Sequence, residues 1–131
     1  MGSQQLLLII LGMIVVGIAV AVGISLFNDH ASATNRDGVA NDLVHAASIA
    51  QMYRKKPLPQ GGGGGSFVGF DLRTSVKELK NSNGTYSVFG APTDSLIIIE
   101  GIGTQPGYDG LGPVKVSIKV FQSTTQVNEV N

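Results

Sequence analysis

The sequence contains no cysteine and no tryptophan, and its aromatic residues are five Phe and three Tyr. Without cysteine, the chain can have neither a disulfide framework nor a thiolate metal site. Nine basic and nine acidic side chains balance to a formal net charge of zero. Because no excess of basic residues indicates a nucleic-acid-binding surface, no nucleic-acid partner is predicted. The 131 residues are enough for one small domain.

Ionisable side chains are also missing from the first 28 residues. Residues 6–27 read LLLIILGMIVVGIAVAVGISLF, an almost unbroken apolar run. As an α-helix this run is about 33 Å long, which is enough to span the hydrocarbon core of a bilayer. The segment therefore requires lipid or a buried protein environment, whereas the rest of the chain is polar.

Three interpretations of the apolar run are open. A cleavable secretory signal has a basic start and a shorter apolar core, whereas here no Lys or Arg precedes Arg36. A single-pass anchor that carries a small exported domain is the second interpretation. The third is a helix that lies in the membrane before assembly and then packs against copies of itself in a polymer.

Small residues within the run bear on this choice. Gly12, Gly17 and Gly23 interrupt it, and the pairs Gly17–Ala21 and Ala19–Gly23 have small residues four positions apart. Such pairs let helix backbones approach closely in an apolar environment, although glycine is common in membrane helices generally.

The helix is predicted to continue beyond the apolar run, because residues 28–56 contain no proline and have a helical apolar period. This apolar stripe consists of Val39, Leu43, Ala46, Ala47, Ala50 and Tyr53. The charged residues largely off the stripe are Asp29, Arg36, Asp37, Asp42 and Arg54. Basic residues 54–56 suit the helix C-terminus, and Pro57 and Pro59 end the helix. Residues 31–38 are the weakest part of this helix, because their Ser, Thr, Asn and Gly favour bending.

Residues 57–131 are predicted to form a small β-rich head. A glycine-rich loop at 60–66 contains five consecutive glycines and is typical of a flexible linker or surface loop. Predicted strands occupy residues 66–72, 85–90, 96–102 and 114–122, with a helical turn at 74–80, a tight turn at Asn83-Gly84 and another turn at 107–113.

The last predicted strand alternates cleanly, which indicates one dry and one wet face of an antiparallel sheet. Only the amphipathic part of the helix is available to cover the dry face. We therefore predict an α+β fold in which a long N-terminal helix, residues 1–56, packs on a small antiparallel sheet. The helix-to-sheet core should contain Val39, Leu43, Tyr53, Val116 and Ile118.

This arrangement of an apolar helix, an amphipathic helix and a small β-rich head resembles the type IV pilin superfamily. In layout the resemblance covers the whole chain, but its sequence-specific part is confined to the first thirty residues. It implies a homopolymer whose subunits lie in the inner membrane as precursors and then form an extracellular filament at the cell surface. It also implies a prepilin peptidase, pilus assembly machinery and a mature chain numbered from Met1.

The resemblance places one set of residues in the filament core: Met1, Gln5, Gly12, Val16, Gly17, Ala21, Gly23 and Phe27. Two positions depart from the bacterial pattern, which has glutamate where this chain has Gln5 and a proline near Gly23. A glutamine can accept a hydrogen bond from the N-terminal amine of a neighbouring subunit, but it cannot neutralise the charge of that amine.

Candidate chemical groups are few. His30 and His45 are about 22 Å apart along a helix and cannot share a metal. Asp109 is predicted to be a turn residue, and no nucleophile motif occurs. Asn83-Gly84-Thr85 matches an N-glycosylation sequence, which makes Asn83 a candidate glycosylation residue, although such short matches arise by chance. No catalytic residue, metal or cofactor is predicted.

The leading expectation is therefore a structural filament subunit. A membrane-anchored binding module or a pseudopilin of a secretion system is the alternative, and an enzyme is a more distant one.

Overall fold

A computed structural model describes residues 2–72 and 80–131. Its elements are a helix α1 (Gly2–Lys55), a 3-10 turn (Leu58–Gln60) and four strands, β1 (Gly84–Phe89), β2 (Ile97–Pro106), β3 (Pro113–Val120) and β4 (Thr125–Glu129). The chain divides into two compact units, Met1–Ala31 and Ser32–Asn131. The predicted α+β class is confirmed.

The four strands form one antiparallel sheet in the order β1-β2-β3-β4. The predicted alternation of β3 is confirmed, because Val114, Val116, Ile118 and Val120 are all completely buried. Directly opposite Ile118 on β2 lies Ile99, which is also completely buried. One face of the sheet is therefore buried along β1, β2 and β3.

The part of α1 within the second unit covers this face. Val39 and Leu43 are fully buried in the same cluster as Val116 and Ile118, as predicted. Tyr53 is only partly buried, packs against the cluster, and donates a hydrogen bond from its hydroxyl to the carbonyl of Val68. The cluster also contains residues that the sequence reasoning had not assigned to it, among them Phe67, Phe70, Leu72, Tyr86 and Ile97.

Helix and sheet approach most closely at two glycines of β2. A Cβ at Gly101 would lie 2.6 Å from Val39 Cγ1, and a Cβ at Gly103 would lie 2.1 Å from Asn35 Oδ1. A side chain at either position would push α1 off the strand, so glycine is required there by close approach of the backbone.

The predicted strand at residues 66–72 is wrong. Phe67 and Phe70 are both buried, and the amide of Phe70 donates to the carbonyl of Phe67, which makes a turn. Gly69 has a φ of +84°, which an extended strand does not tolerate. The helical turn predicted at 74–80 falls largely on residues 73–79, which lie outside the described residues, while Lys80 forms a bridge with Thr85.

The glycine-rich loop, expected from its composition to be a flexible linker or a surface loop, is a surface loop folded back on the end of α1. The amides of Gly63, Gly64 and Gly65 donate to the carbonyls of Tyr53, Lys56 and Arg54, at 2.8, 3.0 and 2.7 Å. These carbonyls belong to the last helical turn and to the residue after it, where helical partners are missing. The loop therefore serves as a C-terminal cap of α1.

Residues 31–38 are helical despite their weak helix propensity. Three of them, Ser32, Asn35 and Arg36, are buried. Their side chains are used for tertiary contacts, which compensate for the low intrinsic preference.

Candidate assembly site

Within its described residues, the first unit has no core of its own. Every large apolar side chain between Leu6 and Phe27 is between 52% and 73% exposed. Nothing else in residues 2–31 that the structure describes is buried either. By length and composition, α1 is able to cross a membrane. Water is a poor solvent for so much apolar area, so this helix requires a lipid or protein environment.

The predicted filament-core residues lie on this exposed helix, apart from Met1, which is outside the described residues. Gly12, Val16, Gly23 and Phe27 are spaced by four, seven and four positions, which puts them on one face of a helix. Gly17 and Ala21 lie on another face. Gln5 is exposed one turn from the start of the helix.

The glycines of this helix have open space around them. A Cβ at Gly12, Gly17 or Gly23 would meet nothing within 4 Å. Among residues 2–72 and 80–131, no contact therefore requires glycine at these positions, in contrast to Gly101 and Gly103. The open space leaves room for close approach of another helix, which small residues in a helix interior permit.

In the second unit, a polar cluster ties the turn before β1 to α1. One carboxylate oxygen of Asp42 accepts hydrogen bonds from the side-chain amides of Asn81 and Asn83, at 2.9 and 3.0 Å, and from the hydroxyl of Tyr86. About two helical turns earlier, Asn35 donates to the carbonyl of Asn83 at 2.7 Å. Gly38, which lies between Asn35 and Asp42 on the helix, faces Asn83. A Cβ at Gly38 would lie 3.0 Å from Asn83 Oδ1.

Hydrogen bonding decides the ionisation of this cluster. Burial opposes the charge of Asp42, but the donors Tyr86, Asn83 and Asn81, together with the field of His45, outweigh it and lower the pKa of the carboxyl group. Burial and the hydrogen bond to Asp42 raise the pKa of Tyr86 far above its usual value. The pair is therefore a carboxylate and a neutral phenol at neutral pH.

A second polar contact ties the end of the chain to α1. The guanidinium of Arg36 lies 3.0 Å from the carboxylate of Glu129, donates to the carbonyl of Asn131, and stacks 3.9 Å from the centroid of the Tyr108 ring. Arg36 is only 4% exposed, so its expected position off the buried stripe is wrong. The guanidinium fits there because its planar fork can donate and stack at the same time.

Sequence reasoning missed these polar contacts for a physical reason. Helical periodicity identifies apolar faces, and Arg36 and Asp42 do not contribute to an apolar stripe. Their partners are 39 to 95 positions away in sequence. The sequence signal that could have indicated such a contact is the turn Asn81-Ser82-Asn83-Gly84. Asn and Ser side chains in turns readily form hydrogen bonds to nearby groups.

The remaining candidate groups are not brought together. His30 and His45 are exposed, and no group of three potential metal ligands occurs among residues 2–72 and 80–131. Asp109 is a turn residue as predicted, since its carboxylate accepts from the amide of Leu111 at 3.0 Å. The side-chain nitrogen of Asn83 is directed at Asp42, so a sugar attached there would have to displace part of that contact.

The described part of the chain thus contains an exposed apolar helix and a head that hydrogen bonds and an ion pair connect to α1. No protein-family model matches the chain, and no curated protein or solved structure is significantly similar to it.

Proposed function

We propose that this chain is a structural subunit that polymerises through its apolar N-terminal helix into an extracellular filament of the type IV pilus kind. The architecture is pilin-like in its long apolar helix and small antiparallel sheet. The observation that carries the proposal is that every large apolar residue at 6–27 is more than half exposed, whereas the second unit buries an apolar core of its own.

Two environments satisfy this helix in turn. In the membrane, lipid tails surround the apolar side chains. In the filament, identical helices replace lipid and keep water away, so the apolar surface remains buried throughout. Glycines at positions 12, 17 and 23 let neighbouring backbones come close, which increases van der Waals contact between helices.

Assembly then follows from symmetry. A heterologous contact between identical subunits, repeated without closing, produces a helical polymer. The β-rich head coats the outside and carries the surface properties of the filament. In the cell, this pathway uses insertion in the inner membrane, processing by a prepilin peptidase, and assembly machinery that extracts the subunit from lipid. For the purified chain, removal of detergent takes the place of that extraction.

Gln5 has a specific role in this scheme. If Met1 is the mature N-terminal residue, its amine lies in an apolar bundle and needs a hydrogen-bond acceptor. The side-chain carbonyl of Gln5 in a neighbouring subunit is able to supply one, with Ser3 and Gln4 as other candidates. Because glutamine is neutral, the amine gains a hydrogen bond without charge compensation.

A membrane-anchored binding module is the second candidate, since the same helix is long and apolar enough for a single-pass anchor. In that case the helix stays in lipid and the head acts alone. A pseudopilin of a secretion system is a variant of the first proposal with a shorter polymer.

Electron microscopy of filaments sheared from cells that express the chain separates these functions. The proposal predicts thin filaments whose main protein band contains this chain by mass spectrometry. Recovery of the chain only from the membrane fraction, with no filament containing it, would favour the anchored module. The intact mass of the filament protein also tests whether the chain begins at Met1.

A further inference from the structure

The loop between β2 and β3 is built to present one apolar side chain. The amide of Gly107 donates to the carbonyl of Gly112 at 2.7 Å, and that of Gly110 donates to Gly107 at 3.1 Å. The carboxylate of Asp109 accepts from the amide of Leu111. Within this closed loop Leu111 is 91% exposed, more than any other large apolar residue described.

This loop lies at the end of the second unit where α1 enters it. Arg36 stacks on Tyr108 within the loop. The side-chain oxygen of Asn35 accepts hydrogen bonds from the amides of Thr104 and Gln105, at 3.0 and 3.2 Å, just before the loop. Both contacts hold the loop beside the first two turns of the helix in this unit.

An apolar groove lies at the other end of the same unit. It has a volume of about 640 Å³ and follows the last turns of α1 and the residues after it. Its lining residues include the apolar Ile49, Met52 and Pro57 and the basic Lys55 and Lys56. Met52 is 69% exposed, so the groove is open to a partner.

The two ends are far apart within one chain. Arg36 and Met52 are separated by sixteen helical residues, or about 24 Å. The Leu111 loop of one copy therefore cannot reach its own groove. A second copy, however, can bring its loop there.

Charge complementarity supports this occupant. Asp109 is exposed next to Leu111, whereas Lys55 and Lys56 are exposed on the groove. Within residues 2–72 and 80–131, neither ammonium group forms an ion pair. A loop with an apolar tip and an adjacent carboxylate therefore matches a groove with an apolar wall and two cations.

We infer that the β2–β3 loop of one subunit docks in the α1 C-terminal groove of the next, with Leu111 against Met52 and Asp109 near the two lysines. This contact joins different surfaces at opposite ends of the unit, so it is heterologous, as a contact repeated along an open helical filament must be. The inference rests on the proposed filament function, for which it supplies a contact between heads.

Cysteine trapping tests the contact directly, because the natural chain has no cysteine. Full-length chain carrying Leu111→Cys and Met52→Cys is assembled by removing detergent, oxidised, and run on a non-reducing gel. Within one chain the two thiols are far beyond disulfide reach. The contact predicts a ladder of covalent oligomers from the double variant and monomers from each single variant.

A double variant carrying Val127→Cys and Met52→Cys is the matched control, since Val127 is also exposed but lies on β4 away from the loop. This control variant should remain monomeric.

The assembly threshold gives an independent readout. Removing the Leu111 side chain by Leu111→Ser should raise the critical concentration for sedimentable filaments about tenfold, since burial of one leucine corresponds to at least that factor in an equilibrium constant. The exposed substitution Val127→Ser should leave it unchanged.

Several results would overturn the inference. Normal filaments without a ladder, or equal ladders from both cysteine pairs, would show that the loop does not dock in the groove, while the proposed filament itself would stand. Quenching of a fluorophore on Leu111→Cys by brominated phosphatidylcholine in assembled samples would assign the loop to lipid instead. Failure of the wild-type chain to form any filament would remove the proposed function together with this contact.

Discussion

Single polar residues, in addition to the apolar core, fix the strands of this protein to α1. Asp42 accepts three side-chain hydrogen bonds at one oxygen, and each donor comes from the turn before β1 or from β1 itself. Hydrogen bonds to a charged acceptor are stronger than those between neutral groups. Removal of such an acceptor also leaves its partners without hydrogen bonds.

Asp42→Ala should therefore lower the free energy of unfolding by about 1–3 kcal/mol. The measurement is urea unfolding of residues 29–131, the fragment that contains the complete core. Asp37→Ala is the matched control, because Asp37 is an exposed aspartate on the same helix. Equal stability of the two variants would show that the Asp42 cluster contributes nothing.

The same carboxylate predicts how stability depends on pH. The pKa of Asp42 is lowered from its ordinary value of 3.8 in the folded protein. Its contribution is therefore complete above that value and declines as pH falls through the lower folded pKa. Between about pH 6 and about pH 2.5, wild type should lose more stability than Asp42→Asn. Urea unfolding at both pH values measures this difference, and parallel losses in the two proteins would contradict it.

At the scale of elements, the second half of α1 is as much a part of the head as the strands are. Val39 and Leu43 are completely buried beneath the sheet, whereas the neighbouring Val44 is 45% exposed. One residue therefore separates the core face of the helix from its surface.

Leu43→Asp should unfold the 29–131 fragment, because an unpaired carboxylate in an apolar core costs several kcal/mol. Val44→Asp introduces the same group at the adjacent, exposed position and should have little effect. Thermal unfolding followed by circular dichroism measures both variants. A sharp, unchanged transition in Leu43→Asp would mean that the inward face of the helix is misassigned.

The glycine-rich loop makes a second prediction at this scale. A Cβ at Gly63 would lie 1.9 Å from the carbonyl oxygen of Ser66, whereas a Cβ at Gly112 would meet nothing within 4 Å. Gly63→Ala should thus destabilise the fragment by about 2 kcal/mol, as expected for a substitution that strains the backbone. Gly112→Ala should not. Equal unfolding midpoints in urea would show that the loop is the flexible linker that its composition suggests.

Elements with strong periodicity could be predicted from the sequence, and elements with weak periodicity could not. The clean alternation of β3 and the helical stripe around Leu43 correctly predicted which residues are buried. In β4 all five residues are exposed, so no hydrophobic pattern marks this strand and it was missed. The buried Phe67 and Phe70 lie in a turn, where burial has no fixed period.

The candidate assembly site was predictable only in part. An apolar run without charges is visible directly in residues 6–27, and the structure leaves it exposed. The Leu111 loop and the groove at Met52 depend on tertiary contacts, since the loop is positioned by Arg36 and the groove by the fold of the chain after Lys55. Neither contact leaves a periodic signal in the sequence.

At the scale of the whole molecule, the chain combines a head that buries an apolar core of its own with a helix whose apolar residues are exposed. A lipid or protein environment around the helix is therefore a physical necessity, and the proposed environment in the filament is an array of identical helices. Because the apolar residues surround this helix on all sides, a polar group on any face of its middle would disturb the array.

Filament formation by the purified full-length chain after detergent removal tests this central claim most directly. Wild type and Val16→Leu, which keeps the position apolar, should both yield sedimentable filaments in negative stain. Val16→Asp should yield none, because an unpaired charge in a dry bundle costs several kcal/mol per subunit. Abundant normal filaments from Val16→Asp would contradict the account, since the exposed helix could not then be the core of the polymer.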